Sequence, residues 1–306
     1  MQNLISIHDL DRAQIQEIFD LAADLKARQR RGEEHRLLAG KTLAMIFEKP
    51  STRTRVSFET GMAQLGGHPL VLNAGDTQLG RGETIHDTAK VLGRYVDGIM
   101  ARTFAHQTVT DLAKYGTAPV INGLTDLLHP CQGLADYFTM LERFGKLDGL
   151  TLSYIGDGNN VTHSLLFGAA KLGCHIRVAT PAGYEADPEI VRMAEEDAKA
   201  SGATITITND PAEAADGVQV IYTDTWTSMG QEEEAEARRQ ALAAFQVNEA
   251  MVQKAADDVI VLHCLPAHRG EEITDAVMDG PHSAVWDEAE NRLHVQKAIM
   301  VLLMRD

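Results

Sequence analysis

Short apolar runs alternate along the chain with longer segments in which apolar residues recur every three or four positions. This order is typical of mostly parallel sheets covered by helices. The first long segment predicts a helix over residues 9–30, whose apolar face is formed by Ile15, Ile18, Phe19, Ala22 and Leu25. The apolar runs then predict strands near residues 43–47, 69–72, 98–102 and 118–121.

A second series of strands is predicted near residues 151–155, 175–179, 204–208, 218–222 and 259–262. The chain has 306 residues, about twice the length of a typical domain. We therefore predict an α/β protein of two domains, each a mostly parallel sheet flanked by helices, joined by interdomain helices. The predicted domains are residues 1–147 and 148–285, with a final helix, about 286–306, packing back on the first.

Net charge limits the partners that the protein is expected to have. The charge of −16 at pH 7 argues against nucleic acid, whose binding relies on broad basic surfaces. No apolar stretch approaches about 20 residues, and the start of the chain lacks a charged segment followed by an apolar core. Three scattered cysteines do not form a disulfide framework. We expect a cytoplasmic protein that binds neither nucleic acid nor membrane.

One basic and hydroxyl-rich segment stands out in this acidic chain. Ser51-Thr52-Arg53-Thr54-Arg55 lies between the first predicted strand and a segment with helical spacing. Unpaired N–H groups at a helix start carry partial positive charge, and arginines add fork-like donors suited to phosphate oxygens. An N-cap followed by surface arginines is the simpler alternative. The density of donors favours a site for a small anion.

Other polar residues follow predicted strands, where ligands bind in open α/β sheets. Arg102 ends the third strand, His129-Pro130-Cys131-Gln132 opens a helix, and His263-Cys264-Leu265-Pro266 leaves the last strand. Taken singly, Arg102 is explained equally well by a helix cap or an ion pair, and His129 by a structural role.

Together these clusters, with Asp224 and Ser228-Met229-Gly230, resemble in content and order the signatures of ornithine carbamoyltransferases. The resemblance runs along essentially the whole chain. The S-T-R-T-R and H-P-x-Q signatures are shared with aspartate carbamoyltransferases and so imply carbamoyl phosphate, whereas S-M-G and H-C-L-P imply ornithine. The implied reaction transfers a carbamoyl group to the δ-amino group of L-ornithine, giving L-citrulline and phosphate, in arginine biosynthesis or in reverse.

The resemblance also implies roles for individual residues. Phosphate would be held at the helix start, Arg102 and His129 would donate to the carbonyl oxygen, and Gln132 and the Leu265 carbonyl would hold the carbamoyl nitrogen. The implied carbamoyl phosphate residues are Ser51, Thr52, Arg53, Thr54, Gln78, Arg102, His129, Pro130, Cys131, Gln132, Cys264, Leu265 and Arg292. The implied catalytic residues are Arg53, Arg102, His129, Gln132, Asp224, Cys264 and Arg292. The implied ornithine residues are Asn160, Asp224, Ser228 and Met229.

Cys264 is implied to lie beside the attacking amine, as a proton acceptor or as an orienting group. We expect a helix end or nearby arginines to lower the pKa of its thiol. A buried inert cysteine and half of a metal site with His263 are the alternatives. Adjacent strand residues point to opposite faces, so we predict that the two do not share an ion and that no metal or other cofactor is needed.

Charge near Asp224 bears on the second substrate. Residues 221–237 contain no lysine or arginine, so a pocket there favours an ammonium over the two carboxylates of aspartate. Putrescine and N-acetylornithine remain alternative acceptors, and a turn cap is the simpler explanation of Asp224. The resemblance further implies that Gln78, in a glycine-rich loop, reaches the neighbouring subunit of a homotrimer, or of a multiple of trimers, with shared active sites.

Two rival functions belong to other classes. The strand at 151–155 followed by Gly156-Asp157-Gly158 resembles the start of a dinucleotide fold and so suggests an NAD-dependent oxidoreductase. However, Val161 stands where a third glycine is expected, and the next strand ends in Thr180-Pro181 without an acidic residue for a ribose. A silent binding subunit is the second rival, and the complete set of Arg102, His129, Gln132 and Cys264 opposes it.

Overall fold

The protein is described here by a computed structural model that covers residues 1–73, 75, 82–227 and 232–305. Within these ranges nine strands form two sheets in which every strand pairing is parallel. The strands are β1 (Thr42–Phe47), β2 (His68–Asn73), β3 (Gly98–Arg102), β4 (Val120–Leu124), β5 (Thr151–Ile155), β6 (His175–Ala179), β7 (Ile205–Thr208), β8 (Val220–Thr223) and β9 (Ile260–His263). The sheets have the orders β2-β1-β3-β4 and β7-β6-β5-β8-β9.

Helices connect the strands. In the described residues they are α1 (Arg12–Arg30), α2 (Thr52–Gln64), α3 (Ile85–Leu92), α4 (His106–Tyr115), α5 (Pro130–Phe144), α6 (Asn160–Leu172), α7 (Pro188–Ser201), α8 (Pro211–Ala215), α9 (Ala235–Leu242), α10 (Glu249–Val252), α11 (Asp275–Met278) and α12 (Val285–Met304). Short 3-10 turns lie at Ile7–Asp9, Glu232–Glu234 and Ala243–Phe245. The predicted α/β class with two parallel sheets is confirmed.

Among the element boundaries that differ from the prediction, two have clear local reasons. The first helix begins at Arg12, because the Asp11 side chain accepts from Gln14 N and the Gln14 side chain accepts from Asp11 N, which together form a capping box. The fourth strand begins at Val120, directly after Pro119, which has no N–H to donate to a ladder.

The chain divides into two compact units, residues 1–134 with 291–306, and residues 135–290. This division falls within α5 and α12, and the predicted boundary between residues 147 and 148 stays a prediction. In the described part of the chain, no helix is both long and apolar enough to cross a membrane.

In the first unit, the end of α12 packs on α1 and α2. Lys297 is fully buried, and its Nζ donates to Gln29 Oε1 at 2.7 Å and Gln64 Oε1 at 2.9 Å, and lies 3.1 Å from His35 Nε2. Burial lowers the pKa of Lys297 to about 8. Gly61 lets the helices approach, since a Cβ there would lie 3.0 Å from Met300 Cε. These contacts fix α2, which carries Arg53, and α12, which carries Arg292.

In the second unit, buried aromatic side chains fill the space beside the central strands. The rings of Tyr154 in β5 and Tyr222 in β8 stack at 6.0 Å. Tyr137 in α5 lies against Gly168 in α6, where an added Cβ would be 2.1 Å from the ring, and its hydroxyl donates to Leu165 O at 2.6 Å. The loops after β5, β8 and β9 lie at the carboxyl edge of this sheet, where two of the predicted ornithine residues, Asn160 and Asp224, occur.

Candidate active site

The basic segment forms the N-terminus of α2, as its hydroxyls predict. Ser51 is the N-cap in extended conformation, and its hydroxyl accepts from Thr54 N at 3.3 Å. Thr52 and Arg53 are exposed in the first turn, and Thr54 is buried. The exposed residues therefore lie beside the free N–H groups of the helix, where an anion is favoured.

Two arginines from distant parts of the chain meet at Thr54. Arg292 Nη2 donates to Thr54 Oγ1 at 3.0 Å, and Arg102 Nη1 donates to the same oxygen at 3.4 Å. Arg102 is at the end of β3, and Arg292 is 5% exposed in α12. Arg292, which by sequence alone resembles a solvated helix residue, is thus buried at the helix start. The result is a concentration of positive charge in an acidic protein.

His129 lies within the influence of these charges. It is 5% exposed, and its pKa is held well below the usual value, first by burial and then by the charges of Arg292, Arg102 and Arg53. The imidazole is therefore neutral at pH 7. A neutral ring has one N–H donor, which it offers without adding a further positive charge.

Three residues that follow His129 open helix α5. Pro130 is its first residue, where a missing N–H costs nothing, and Gln132 is buried. Cys131 is also buried, its thiol donates to Asn122 O at 3.4 Å, and burial raises the pKa of that thiol to about 12. Cys131 is thus an inert thiol, and its contribution to a site is limited to its backbone.

Lys49 is a buried cation of the first unit that was not among the predicted site residues. Its Nζ pairs with Asp126 and lies 4.3 Å from the centre of the Phe104 ring. Next to it, Glu48 Oε2 accepts from Phe104 N at 2.9 Å, and Glu48 N donates to Arg102 O at 2.9 Å. These contacts tie the end of β1 to the end of β3. In the sequence, the position of Lys49 directly before Pro50 and the S-T-R-T-R segment is the one feature that indicates its place near the basic segment.

In the second unit, Asp224 connects two loops at the carboxyl edge of the sheet. Its Oδ2 accepts from Asn159 Nδ2 at 2.7 Å, and its Oδ1 accepts from Thr225 N at 2.7 Å and from the Cys264 thiol at 2.9 Å. Asn159 also caps α6 by accepting from Val161 N and Thr162 N. Asn159 was missed, because the resemblance implied its neighbour Asn160, which lies half-buried as the first residue of α6.

The thiol of Cys264 differs from the expectation. Its pKa is raised well above the usual value, first by desolvation and then by Asp224, which also accepts its proton in a hydrogen bond. The expected lowering by a helix end or nearby arginines is therefore wrong. The charges that raise this pKa are acidic, with Glu288 and Asp136 adding to the effect of Asp224. Cys264 is a neutral hydrogen-bond donor at pH 7.

The prediction that His263 and Cys264 are poorly placed to share one ion is also wrong. Strand β9 ends at His263, and ligand atoms of Asp224, His263 and Cys264 all lie within 4.8 Å of one another. Both ring nitrogens of His263 already have protein partners, Leu265 N at 2.9 Å and Glu272 Oε1 at 3.0 Å. A metal ion bound to His263 would have to displace one of these two hydrogen-bond partners. That the site needs no metal or other cofactor stays a prediction, and these hydrogen bonds support it.

Arg238 braces the loop that begins at Asp224. It is buried, donates to Trp226 O at 3.1 Å, and pairs with Asp157 at 3.0 Å and Glu234 at 3.2 Å. Burial raises the pKa of Asp157, and the Arg238 charge opposes that shift. Arg238 lies one residue beyond the segment 221–237, which was described as free of basic residues. Its charge is balanced by the carboxylates of Asp157 and Glu234.

Gly158, in the turn after β5, serves packing within the unit. A Cβ at Gly158 would lie 2.2 Å from Ala186 N, and Gly158 N donates to Tyr184 O at 2.8 Å. The chain itself therefore fills the space in front of this glycine, which a dinucleotide phosphate would need. This contact argues against the oxidoreductase alternative.

Three predicted site residues, Gln78, Ser228 and Met229, lie outside the described residues. The others fall into two groups. In the first unit Ser51, Thr54, Arg102, His129 and Arg292 converge, with Thr52, Arg53, Pro130, Cys131 and Gln132 adjoining them in the chain. In the second unit Asp224 and Cys264 are in contact, Asn160 adjoins Asn159, and Leu265 follows Cys264.

A parallel α/β protein in which a helix N-terminus, arginines and a neutral histidine converge belongs to the class of enzymes that bind small phosphorylated substrates. Family models agree: one described as aspartate/ornithine carbamoyltransferase, carbamoyl-P binding domain, matches residues 2–142. Another, described as aspartate/ornithine carbamoyltransferase, Asp/Orn binding domain, matches residues 148–303. The chain therefore belongs to the aspartate/ornithine carbamoyltransferase family.

Individual relatives are similar over almost the whole chain. Ornithine carbamoyltransferase of Thermococcus kodakarensis is 56% identical over 303 residues, which are 99% of this chain and 96% of that protein. The relative from Pyrococcus furiosus, named as the anabolic enzyme, is also 56% identical, over the same shares of the two chains. A solved structure of ornithine carbamoyltransferase from Pyrococcus furiosus has a TM-score of 0.96 and covers 99% of this chain and 97% of that one. The enzyme from Gloeobacter violaceus has a TM-score of 0.89 at 50% identity and covers 99% of both chains.

Proposed function

We propose that the chain transfers the carbamoyl group of carbamoyl phosphate to the δ-amino group of L-ornithine, giving L-citrulline and phosphate in the biosynthetic direction. The observation that carries the proposal is the convergence of Arg102 and Arg292 on Thr54 at the start of α2. The names of relatives at 56% identity, ornithine carbamoyltransferases, support ornithine as the acceptor, and the name of the anabolic relative supports the biosynthetic direction.

Residues of the first unit bind carbamoyl phosphate in this proposal. The phosphate dianion occupies the start of α2, where Ser51, Thr52, Arg53 and Thr54 offer hydroxyls, N–H groups and charge, with Arg292 as a further cation. Arg102 and His129 donate to the carbonyl oxygen, which becomes an oxyanion when the amine attacks. Each such donor lowers the barrier by about 3 kcal/mol.

The neutral state of His129 suits this role. Its N–H donor is available across the physiological range, because burial and three guanidiniums oppose protonation. Gln132 and the carbonyl of Leu265 hold the carbamoyl nitrogen, and Pro130 and Cys131 set the backbone between His129 and Gln132. Gln78 completes the carbamoyl phosphate set.

Residues of the second unit bind ornithine. The Asp224 carboxylate receives the α-ammonium, Asn160 the α-carboxylate, and Ser228 and Met229 the remainder of the molecule. Cys264 orients the δ-amine and does not act as a base, since its thiol keeps its proton at neutral pH. The departing phosphate is basic enough to take the proton that the amine loses.

A panel of acceptors tests this assignment. Citrulline formation from carbamoyl phosphate is measured colorimetrically with ornithine, and the corresponding carbamoyl products with putrescine, N-acetylornithine and aspartate are measured by mass spectrometry. We expect ornithine to give a kcat/KM at least 100-fold above the others, because Asp224 requires an α-ammonium and disfavours a second carboxylate. Equal rates with putrescine or N-acetylornithine would show that the site does not select ornithine as its acceptor.

We further propose a homotrimer, or a multiple of trimers, located in the cytoplasm. Large apolar side chains on the surface of the first unit support association, with Tyr95 75%, Val56 54% and Phe104 47% exposed. Free cysteines support a reducing compartment. Light scattering during size-exclusion chromatography should give three chains per particle or a multiple of three, and a fully active monomer would exclude shared active sites.

A further inference from the structure

Two fully buried glutamates hold the residue that precedes Cys264. His263 is 1% exposed, its backbone N donates to Glu288 Oε2 at 2.8 Å, and its Nε2 lies 3.0 Å from Glu272 Oε1. Glu272 has no solvent exposure. No step of the proposed reaction uses either glutamate directly, yet both contact the start of the segment that carries Cys264 and Leu265.

The hydrogen bonds determine where the proton of His263 resides. Leu265 N lies 2.9 Å from His263 Nδ1. A backbone N–H can only donate, so Nδ1 is the acceptor and the neutral ring carries its proton on Nε2. Nε2 therefore donates to Glu272 Oε1. A carboxylate in this position fixes both the tautomer and the orientation of an imidazole.

The same carboxylate oxygen holds the far end of the segment. His268 N donates to Glu272 Oε1 at 2.6 Å. Residues 264–267 thus form a short loop, and the histidines on both sides of it, His263 and His268, are hydrogen-bonded to the same buried oxygen. Because the atom accepts from a side chain at one end and from the backbone at the other, loss of Glu272 would release both ends.

Leu265 has a conformation that needs such support. Its φ is +61°, in the left-handed region that side chains other than glycine rarely adopt. The bond from Leu265 N to His263 Nδ1 opposes return to ordinary backbone geometry. That bond holds the peptide between Cys264 and Leu265, and the φ of Leu265 then helps to set the direction of the Leu265 carbonyl. The carbonyl therefore depends on His263 keeping its Nδ1 unprotonated.

We propose that Glu272 is a positioning residue for carbamoyl transfer: by fixing the Nε2–H tautomer of His263 it holds the peptide before Leu265 and, through the left-handed conformation of Leu265, directs the Leu265 carbonyl. This inference rests on the proposed role of that carbonyl. Glu272→Ala removes the acceptor and leaves His263 free to change tautomer. Glu272→Gln keeps an oxygen in the place of Oε1 and preserves both hydrogen bonds.

Steady-state kinetics with a neighbouring control test the proposal. Glu272→Ala should lower kcat for citrulline formation at least tenfold, whereas Glu272→Gln should stay within about threefold of the unmodified protein. Glu271→Ala is the matched control, because Glu271 is the adjacent glutamate, pairs with Arg239 at 3.5 Å and should leave kcat unchanged. Equal losses in the Ala variants at 271 and 272, or an unchanged kcat in Glu272→Ala, would overturn the proposal.

A nitrogen-15 NMR measurement of the histidine rings gives a readout that general damage to the fold would not produce. The unmodified protein and Glu272→Gln should show His263 as the Nε2–H tautomer, identified by loss of its signal in His263→Asn. Glu272→Ala should show a mixture with the Nδ1–H form. An Nδ1–H tautomer in the unmodified protein overturns the inference even if the Ala variant does not fold. Absence of citrulline formation by the unmodified protein would instead reject the proposed function and leave the tautomer result standing.

Discussion

Replacement of Thr54 by valine should weaken carbamoyl phosphate use, because its buried hydroxyl oxygen accepts from both Arg102 and Arg292. Valine has nearly the shape of threonine and keeps the packing of a residue that is 1% exposed. The bond from Arg292 is 3.0 Å long, whereas the 3.4 Å bond from Arg102 is close to the limit for a hydrogen bond.

The magnitude follows from these two lengths. A hydrogen bond to a charged group contributes about 1.5–3 kcal/mol, and we assign about 2 kcal/mol to the Arg292 bond and little to the longer one. Since about 1.4 kcal/mol corresponds to a factor of ten, kcat/KM for carbamoyl phosphate should fall by about 30-fold.

The assay is initial-rate citrulline formation with varied carbamoyl phosphate at saturating ornithine. Ser57→Ala is the control, since Ser57 lies in the next turn of α2 and donates to Thr54 O at 3.2 Å. It should leave kcat/KM within twofold of the unmodified protein. A Thr54→Val protein as active as the control, with an unchanged melting temperature, would refute the idea that Thr54 organises the arginines.

Three further predictions concern protonation and packing. Because the pKa of His129 in the folded state lies below the unfolded value of about 6.5, the folded state binds fewer protons, and stability is lost as pH falls below about 6.5. Urea unfolding should show that the difference in free energy of unfolding between the unmodified protein and His129→Gln shrinks from pH 7 to pH 5. A difference that stays constant would contradict this. Peptide mapping should show iodoacetamide alkylation of Cys264 at pH 7.5 to be about tenfold slower than that of free cysteine and several-fold faster in Asp224→Asn, whereas rapid labelling of the unmodified protein would indicate a thiolate. Gly168→Ala should lower the free energy of unfolding by about 1–3 kcal/mol, because its Cβ would meet the Tyr137 ring at 2.1 Å, and unchanged urea unfolding would show that the ring moves freely.

The strand and helix order was predictable because apolar periodicity reports which faces are buried. The cluster of donors at the start of α2 was predictable for a similar local reason, since Ser51 to Thr54 occupy the start of one helix and need no distant partner to be recognised. Arg102 and His129 follow strands, where parallel sheets collect ligand residues.

The remaining features depend on contacts between residues that are far apart in the chain. Arg292 meets Thr54 across 238 positions, so its burial has no local signature. The pKa of Cys264 is raised by Asp224, 40 positions away, and its sequence neighbours carry no sign of that carboxylate. Glu272 is only nine positions from His263, but it reaches that ring by a turn of the backbone that strand alternation does not predict.

The central claim is that the chain transfers a carbamoyl group to ornithine, with Arg102 acting on carbamoyl phosphate and Asp224 on ornithine. It is tested most directly by bisubstrate kinetics on the unmodified protein, Arg102→Gln and Asp224→Asn. The account predicts citrulline formation by the unmodified protein, a kcat at least 100-fold lower in Arg102→Gln, and a KM for ornithine raised at least tenfold in Asp224→Asn. Absence of citrulline formation by the unmodified protein, or unchanged constants in both variants, would contradict it.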